Sequence, residues 1–438
     1  MPELPPELWL KIFSHLPHGL SHLSSVAAVS PTFHALAAPR LFAEFRFRPG
    51  EFAGRLTSGT RFQEILDRLA FWSSPKAAPH VRRCFISLYF TTSSKLYSDS
   101  YAPALFEAIS RFENLRFLSC NFSTNLAVEF PALRIEALTR LECVQIHSGH
   151  IQASKTLVTP RLRTTHFVYT GIPVPRLNQP SSLTLLDPAH LTSLELSGSW
   201  NDARDIAHFL GDKDLLATFH KLRTLDITFS NVNLTTLHAC ISHFPAIREL
   251  TVKVTGSCQI DAMPATALAP HLDRYKGPAI LLPVILAHSA PEEVSVTDGS
   301  AREVLEALQM ATHPEFITSL SIRVGLHQDI LRTAHLGDIL GLCPRVIQLT
   351  LEVSSATENP GLDSATLCAK LVEALRSLNS LETLTLRWRL EGFDSVTISD
   401  GPDLENRGGF GMGSVHGLWR YSCGRVYVAI VINDLIPW

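Results

Sequence analysis

Three histidines near the N-terminus have a spacing that could bring imidazole groups together. His15, His18 and His22 lie three and four residues apart, which would place them on one face of an uninterrupted helix. Pro17 and Gly19 break that helix, and no carboxylate or thiolate completes a zinc site there. The segment therefore predicts solvated loop histidines, and we expect neither a metal site nor a cofactor.

Motifs of common catalytic centres are missing from the sequence. It contains no GxSxG, HExxH or GxxxxGK[ST] motif. The glycine-rich segment at 408–413 lacks the GxGxxG spacing and follows no clear strand pattern, so a nucleotide-binding role is not expected. The sequence thus predicts a protein that is not an enzyme and has no catalytic residues.

Eight cysteines are spread irregularly along the chain. They lie at positions 84, 120, 143, 240, 258, 343, 368 and 423. No two form a CxxC pair, and Cys120 and Cys240 fall inside apolar patterns, where a reduced thiol behaves as a small hydrophobic group. The pattern predicts free thiols in a reducing compartment rather than disulfides or zinc ligands.

Composition and charge exclude several classes of protein. The 438 residues are 45% hydrophobic and 18% charged, which is typical of a globular chain with one domain plus a repeat array, or with two or three domains. A net charge of -3 and a pI near 6.7 do not favour nucleic-acid binding. The longest apolar stretch, 279–287, is too short to cross a bilayer, and residues 1–11 do not resemble a signal peptide. We expect an intracellular protein, cytoplasmic or nuclear, that binds neither nucleic acid nor membrane.

The N-terminal 45 residues predict three short helices. Pro5 and Pro6 suit the first turn of a helix, where a missing N–H costs nothing, and Glu7 adds a carboxylate at its positive end. The apolar stripe of this helix comprises Leu8, Ile12, Phe13 and Leu16. A second helical pattern covers 20–29, and Ser30-Pro31 begins a third. Because three short helices cannot bury this much apolar surface, a partner or a neighbouring domain must cover the remainder.

The same segment resembles the F-box. That motif runs Leu-Pro-x-Glu-aliphatic, then Ile-Phe or Ile-Leu, then Leu, and later Val-Ser with an aromatic residue. The matching residues are Leu4-Pro5-Pro6-Glu7-Leu8, Ile12-Phe13, Leu16, Val29-Ser30 and Phe33. F-box helices bind the small adaptor subunit of cullin-based SCF ubiquitin ligases, so the resemblance implies the adaptor and, through it, the cullin scaffold as partners. It implies the adaptor-binding residues Leu4, Pro5, Leu8, Ile12, Phe13, Leu16 and Val29. An amphipathic helical cap on the following array is the alternative.

From about residue 81, a short unit recurs with apolar residues at its positions 1, 4 and 6. The copies are Phe85–Phe90, Leu115–Cys120, Leu141–Ile146, Leu191–Leu196, Leu222–Ile227, Ile247–Val252, Ile317–Ile322, Val346–Leu351 and Leu381–Leu386, with weaker copies at Leu162–Phe167 and Pro291–Val296. Helical patterns at 104–112, 234–244 and 367–378 separate some of them. The α/β fold predicted is a β–α leucine-rich-repeat-like solenoid with one parallel sheet. A doubly wound enzyme would need fewer, longer strands and a glycine-rich phosphate loop.

Alternate positions of these strands should face solvent on the concave side. They include Ser193, Glu195, Thr224, Asp226, Glu249, Thr251, Ser319, Ser321, Thr350, Glu352, Thr383 and Thr385. A face rich in hydroxyl groups, with charged residues among them, suits a polar protein surface better than a phosphate backbone. Each position taken singly is equally consistent with a solvated strand residue.

The sequence divides into four regions. We expect an F-box at 1–48, a helical connector at 49–80, the solenoid at 81–390 and an atypical tail at 391–438. In the connector, Phe62, Ile65, Leu66 and Leu69 predict a helix that packs the F-box against the first repeat. The segment 272–286 departs from the repeat pattern, and 426–432 has the pattern of a lone apolar strand.

Taken together, these features predict the substrate-recognition subunit of an SCF-type ubiquitin ligase. The F-box would dock the adaptor, and the repeats would hold an unidentified substrate protein. One alternative is a repeat scaffold without any role in ubiquitination. The other is an unrecognised α/β enzyme of the hydrolase type, which would require a perturbed His or Cys in a deep pocket.

Overall fold

A computed structural model defines the fold over most of the chain. The described residues are 4–15, 20–48, 58–88, 95–122, 127–129, 138–147, 150–152, 162–171, 186–198, 219–259, 269, 271–325, 334–355, 380–390, 418–423 and 426–432. The chain forms two compact units. The first comprises Met1–Ser230 with His243–Pro245, and the second comprises Asn231–Ser242 with Ala246–Trp438.

The first unit begins with three helices, as the sequence predicts. They are α1, Pro6–Ser14; α2, Leu20–Ala27; and α3, Pro31–Leu41. Pro5 is the N-cap residue of α1, and Ser30 caps α3 by accepting a hydrogen bond from the Phe33 N–H at 3.1 Å. A fourth helix, α4, covers Ser58–Trp72, within the segment predicted as the connector. The predicted boundary of the connector itself, 49–80, stays a prediction.

The first unit also contains a parallel sheet. Its strands, in spatial order, are β1, Glu44–Phe47; β2, Arg83–Leu88; β3, Phe117–Phe122; β5, Cys143–His147; β7, His166–Thr170; β8, Ser193–Ser197; and β9, Thr224–Phe229. Each neighbouring pair is parallel. Two short strands, β4 (Ala127–Glu129) and β6 (His150–Gln152), pair separately. Helix α5, Lys95–Ser110, connects β2 to β3, and Ala78–His80 forms a 3-10 turn.

The second unit repeats this construction. Its strands, in spatial order, are β11, Glu249–Val254; β13, Arg274–Gly277; β14, Glu293–Val296; β15, Ser319–Gly325; β16, Gln348–Ser355; β17, Thr383–Leu390; β19, Val426–Ile432; and β18, Leu418–Cys423. The helices are α6, Leu234–Ile241; α7, Leu282–Leu286; α8, Ala301–Met310; and α9, Ala334–Leu342. The 3-10 turns are Ala279–Leu281 and Pro314–Phe316, and β10, Val232–Asn233, pairs with β12, Cys258–Gln259.

Among the strands of the second unit, pairing in the sheet is parallel except at the last strand. β18 runs antiparallel to β19, which itself lies parallel to β17. The predicted strand at 426–432 is therefore present, but the expectation that it stands alone is wrong. A lone apolar strand would leave a row of backbone groups without partners, and two neighbours supply them here. The glycine-rich segment 408–413 and the helical pattern 367–378 lie outside the described residues.

Each repeat buries its apolar residues in the same way. In the copy Leu191–Leu196, the side chains of Leu191, Leu194 and Leu196 are fully buried. Leu194 pairs with Leu225 in the next strand, so equivalent leucines stack from repeat to repeat. Burying one such side chain stabilises the fold by about 1.5–3 kcal/mol. Because equivalent residues of successive repeats are paired in this way, the repeat strands of each compact unit form a continuous parallel arrangement.

Two copies have a different alignment from the one predicted. Cys84 pairs with Leu118 and Ile86 with Cys120, so the first copy is 81–86 rather than Phe85–Phe90. Phe85 consequently faces outward. Apolar residues at both odd and even positions of this strand make the sequence compatible with either face, and only the neighbouring strand fixes the alignment.

The weak copy predicted at Leu162–Phe167 is likewise shifted. Phe167 pairs with Val144, which places the copy at 164–169. Its first position is Thr164, a buried polar residue where other copies have an aliphatic one. The Thr164 hydroxyl donates to the Glu142 carbonyl oxygen at 2.7 Å, so this polar side chain can be buried with a hydrogen-bond partner. Because Thr164 is polar, a search for three apolar residues does not find this copy in its correct position.

Two further strands extend the repeat pattern. β1 adds Phe45 and Phe47, both buried, to the inward face within the segment predicted as F-box. β13 lies inside the segment predicted to depart from the pattern, and it pairs in parallel with β11 and β14. Here Tyr275 and Gly277 occupy the two strand positions that are aliphatic in most other copies.

Candidate adaptor-binding surface

An aromatic cluster holds α1 against α3. The rings of Trp9 and Phe33 have centroids 4.6 Å apart, and those of Phe13 and Phe33 are 5.7 Å apart in an edge-to-face arrangement. Phe13 is only 2% exposed. Such aromatic pairs stabilise a core by about 0.5–1.5 kcal/mol beyond their area burial. The Trp9 and Phe13 side of α1 therefore faces inward.

Polar contacts fix the same helices. The Arg40 guanidinium of α3 donates a hydrogen bond to the carbonyl oxygen of Phe13 near the C-terminus of α1. A cation in this position compensates the negative end of the helix dipole. Leu23 of α2 and Ala37 of α3 are buried, which lets these two helices pack closely.

The opposite side of α1 is exposed. Leu8 and Ile12 lie four residues apart on the helix, Leu4 lies just before its N-cap, and about 45% of each side chain is exposed. Pro5 is also exposed, and Val29, in the turn after α2, is 68% exposed. Among the described residues, five of the nine large hydrophobic side chains classed as exposed lie between Leu4 and Val29. An exposed apolar face of this kind is typical of a docking site for another protein.

Not every residue implied by the resemblance lies on that face. Phe13 belongs to the aromatic cluster and is buried, so in this arrangement it supports the exposed residues from beneath. Leu16 lies outside the described residues. Sequence reasoning did not single out Trp9, the inward partner of Phe13, although its spacing of four residues from Phe13 is a helical signal.

A second aromatic cluster anchors the helices to the sheet. Phe42, just after α3, contacts Phe71 and Trp72 of α4, with ring centroids 5.7 Å away in both cases. Trp72 in turn lies 5.2 Å from Phe45 of β1. These contacts connect α3, α4 and the first strand through side chains, so α4 positions the N-terminal helices relative to the sheet of the first unit.

The outward positions of the strands form what we call the open face. All twelve residues predicted to face solvent are partly exposed: Ser193, Glu195, Thr224, Asp226, Glu249, Thr251, Ser319, Ser321, Thr350, Glu352, Thr383 and Thr385. In the second unit, this face has a depression of about 210 Å³ beside Arg274. Arg274 forms ion pairs with Glu249 at 3.4 Å and Glu293 at 3.1 Å. Surface pairs of this kind add little stability and leave a polar surface suited to protein contact.

The buried thiols are poor nucleophiles. Cys84, Cys120, Cys240 and Cys343 are free and buried, and burial raises the pKa of the Cys240 and Cys343 thiols to about 12. The partly exposed Cys143 has a pKa of about 11 for the same reason. Since the thiolate is the reactive form, these groups stay protonated at neutral pH.

The histidine–carboxylate pairs lie in surface turns. His190 contacts Asp187 at 2.9 Å and His313 contacts Glu315 at 3.1 Å, and each imidazole side chain is about half exposed. Burial tends to raise the pKa of Asp187, but hydrogen bonds from the Ala189 N–H and from His190 outweigh it and leave that pKa lowered. Over the described ranges, no group of three His, Cys, Asp or Glu side chains could hold a metal ion. No helix in those ranges could span a membrane.

Comparisons with known proteins agree with the N-terminal resemblance. An F-box-like family model matches residues 1–48. No curated protein matches the chain. A crystal structure of the yeast Rad7 and Elc1 complex aligns with 84% of this chain and 91% of the other, at 13% identity and a TM-score of 0.36. The mouse RP105/MD-1 complex aligns with 65% and 57%, at 11% identity and a TM-score of 0.23. Both scores are too low to bear on function. The chain carries an F-box-like domain at residues 1–48.

Proposed function

We propose that this protein is the substrate-recognition subunit of an SCF-type ubiquitin ligase. The F-box-like domain would bind the small adaptor subunit and, through it, the cullin scaffold. The observation that supports this most directly is the exposed apolar surface formed by Leu8 and Ile12 of α1 and by Leu4 just before it, since the opposite side of α1 is fixed by Trp9 and Phe13. Pro5 and Val29 complete the proposed contact, and Leu16 remains an expectation from the resemblance.

Burial of this face would supply the binding energy. Removing apolar surface from water contributes about 25 cal/mol per Å². Leu8 and Ile12 are nearly half exposed and are held on a helix that packs against α3, so they can be buried without a large cost in ordering them. Phe13 contributes by holding α1 against α3, so that the exposed side chains keep their positions.

The repeats would hold the substrate while the N-terminal helices bind the ligase. In this arrangement the chain forms and breaks no covalent bonds. It raises the effective concentration of a substrate lysine near a ubiquitin-loaded conjugating enzyme. The mixed polar character of the open face, exemplified by Glu249, Arg274 and Ser321, suits a protein substrate.

Binding of purified chain to purified adaptor tests the first half of the proposal. Leu8→Asp and Ile12→Asp would each bury an unpaired carboxylate in the contact and should abolish capture of the adaptor. Leu10→Asp is the matched control, because Leu10 is 43% exposed on the same helix but points away from Leu8. Circular dichroism of each variant checks that the repeats remain folded.

The outcomes separate the alternatives. Loss of capture with Leu8→Asp but not with Leu10→Asp supports adaptor docking. A folded wild-type chain that captures no adaptor refutes the proposal and leaves an amphipathic helical cap on a repeat-type binding protein. If the adaptor binds but no cellular protein shows ubiquitination that depends on this chain, the scaffold alternative is favoured.

A further inference from the structure

On β2 and β3 of the first unit, the open face carries aromatic side chains. β8 and β9 carry hydroxyl and acidic groups there, whereas β2 and β3 carry Phe85 and Phe117. The two rings lie side by side, with centroids 5.3 Å apart and an interplanar angle of 45°. Each is only partly buried, so the pair forms an apolar strip on a face that is otherwise polar.

Two guanidinium groups border this strip. The Arg46 guanidinium carbon lies 5.4 Å from the Phe85 ring centroid, and that of Arg83 lies 5.0 Å from Phe85 and 5.5 Å from Phe117. When a guanidinium packs its flat face against an aromatic ring, its N–H groups point outward along the edge and can still donate hydrogen bonds. The arginines are therefore held in position while they keep hydrogen-bonding capacity.

Charge on this surface is unbalanced. Glu44 is the carboxylate that pairs with both arginines: it accepts a hydrogen bond from Arg46 and lies 3.4 Å from Arg83. The arginine side chains are 59% and 55% exposed, against 29% for Glu44. Two exposed cations thus share one largely covered anion, and the cluster carries a net positive charge beside two aromatic rings.

We propose that this cluster, the arginine–aromatic patch of Glu44, Arg46, Arg83, Phe85 and Phe117, binds an acidic segment of a partner protein. The segment would carry a carboxylate next to an apolar side chain. The carboxylate would accept from Arg46 or Arg83, which offer planar donor pairs, and the apolar side chain would cover the Phe85–Phe117 strip. Aromatic residues and arginine dominate the binding energy of protein interfaces.

This inference deepens the proposed function, because the partner would be the substrate that the repeats hold. A single-stranded nucleic acid also stacks on aromatic rings and contacts arginine. One net positive charge and an acidic chain overall favour a protein segment, since nucleic-acid binding depends on neutralising many phosphates.

Fluorescence anisotropy of the full-length chain with labelled synthetic probes tests the proposal. The first probe is a ten-residue peptide of alternating Asp and Leu. The second replaces every Asp by Asn, and the third replaces every Leu by Ser. A fourth probe is a ten-nucleotide single-stranded oligonucleotide. We expect the Asp–Leu peptide to bind at least tenfold more tightly than each of the other three.

Variants then locate the binding surface. Arg83→Glu and, separately, Arg46→Glu should each weaken binding of the Asp–Leu peptide at least tenfold, and Phe85→Ala should weaken it several-fold. Arg111→Glu is the control: Arg111 is 56% exposed and pairs with Glu107 at 3.3 Å in the same unit, but it lies in the turn just after α5 and not on a strand. That change should leave the affinity unaltered.

Several results would overturn the proposal. They are a folded wild type that binds no peptide, equal binding of the Asp and Asn peptides, tighter binding of the oligonucleotide, and an affinity that Arg83→Glu and Arg111→Glu change equally. Adaptor capture is measured on the same preparations. A wild-type chain that captures the adaptor but does not bind the Asp–Leu peptide refutes the patch alone, whereas failure of adaptor capture by the wild type refutes the ligase role.

Discussion

The ring of Tyr275 occupies the space in which a side chain of Gly277 would lie. A Cβ atom at Gly277 would be 2.5 Å from the tyrosine hydroxyl oxygen and 2.8 Å from the ring carbon that bears it. The hydroxyl donates to the carbonyl oxygen of Pro278 at 2.9 Å in a fully buried position, so the ring cannot swing away freely. One large residue thus fills two inward positions of the repeat, and β13 keeps its place in the sheet without an aliphatic pair.

Substituting Gly277 should destabilise the second unit. In Gly277→Ala the new methyl group would collide with the hydrogen-bonded ring, and overpacking of this kind costs about 1–3 kcal/mol. Gly337→Ala is the matched control, because a Cβ atom there meets nothing within 4 Å, and we expect it to stabilise the chain by about 0.4–1 kcal/mol. Urea unfolding followed by circular dichroism measures both changes.

A compensating pair tests the cause of that effect. Tyr275→Leu combined with Gly277→Val restores the apolar pattern of the other copies and removes the collision. We expect the double variant to be more stable than Gly277→Val alone, with a coupling free energy of about 0.5–3 kcal/mol. Additive effects of the two single changes would show that the ring does not occupy the glycine's space.

Truncation of Phe13 should destabilise the N-terminal helices far more than truncation of Leu8. Phe13→Ala removes a buried ring from the aromatic cluster and should cost about 3–5 kcal/mol locally. Leu8→Ala changes an exposed side chain and should alter stability by no more than about 0.5 kcal/mol. Amide hydrogen exchange of residues 6–41 reports on both. Loss of protection with Leu8→Ala but not Phe13→Ala would reverse the assignment of the two sides of α1.

The N-terminus of α8 should depend on its capping box. The Glu303 N–H donates to the Ser300 hydroxyl oxygen at 3.2 Å, and the Ser300 N–H donates to the Glu303 carboxylate at 2.7 Å. Ser300→Ala should therefore cost about 0.5–2 kcal/mol. Gln309→Ala, an exposed change in the same helix, serves as the control and should fall within about 0.5 kcal/mol. Equal urea midpoints for the two variants would contradict the capping role.

Alkylation of Cys143 should be slow and strongly dependent on pH. Burial raises the pKa of this thiol from 9.0 to about 11, so its thiolate fraction at pH 7 is roughly 100-fold smaller than that of an unperturbed cysteine. The rate of reaction with iodoacetamide should rise about tenfold per pH unit between pH 7 and 10. Peptide mass spectrometry isolates this cysteine from the others. A rate that levels off below pH 9 would exclude the raised pKa.

The repeat pattern was predictable because leucine-type residues at three fixed positions are a local property of the chain. Copies such as Leu191–Leu196 and Leu222–Ile227 were placed correctly, since their outward residues are polar and only one alignment buries the apolar ones. The alignment failed at Phe85, where apolar residues occupy both faces of the strand. Pairing of Cys84 with Leu118 then decided which face is buried.

The sequence by itself determined the three N-terminal helices, the F-box-like segment and, in most copies of the repeat, the alternation of buried and outward residues. Only the tertiary structure decided that Phe13 lies inside and Leu8 outside. The apolar residues of α1 are distributed around the helix, and contact with Phe33 of α3 determines which side is buried. It likewise decided that Tyr275 replaces two side chains and that Arg83 borders two outward rings. Such relationships depend on which residues of neighbouring elements meet, and a local pattern of residue types does not contain that information.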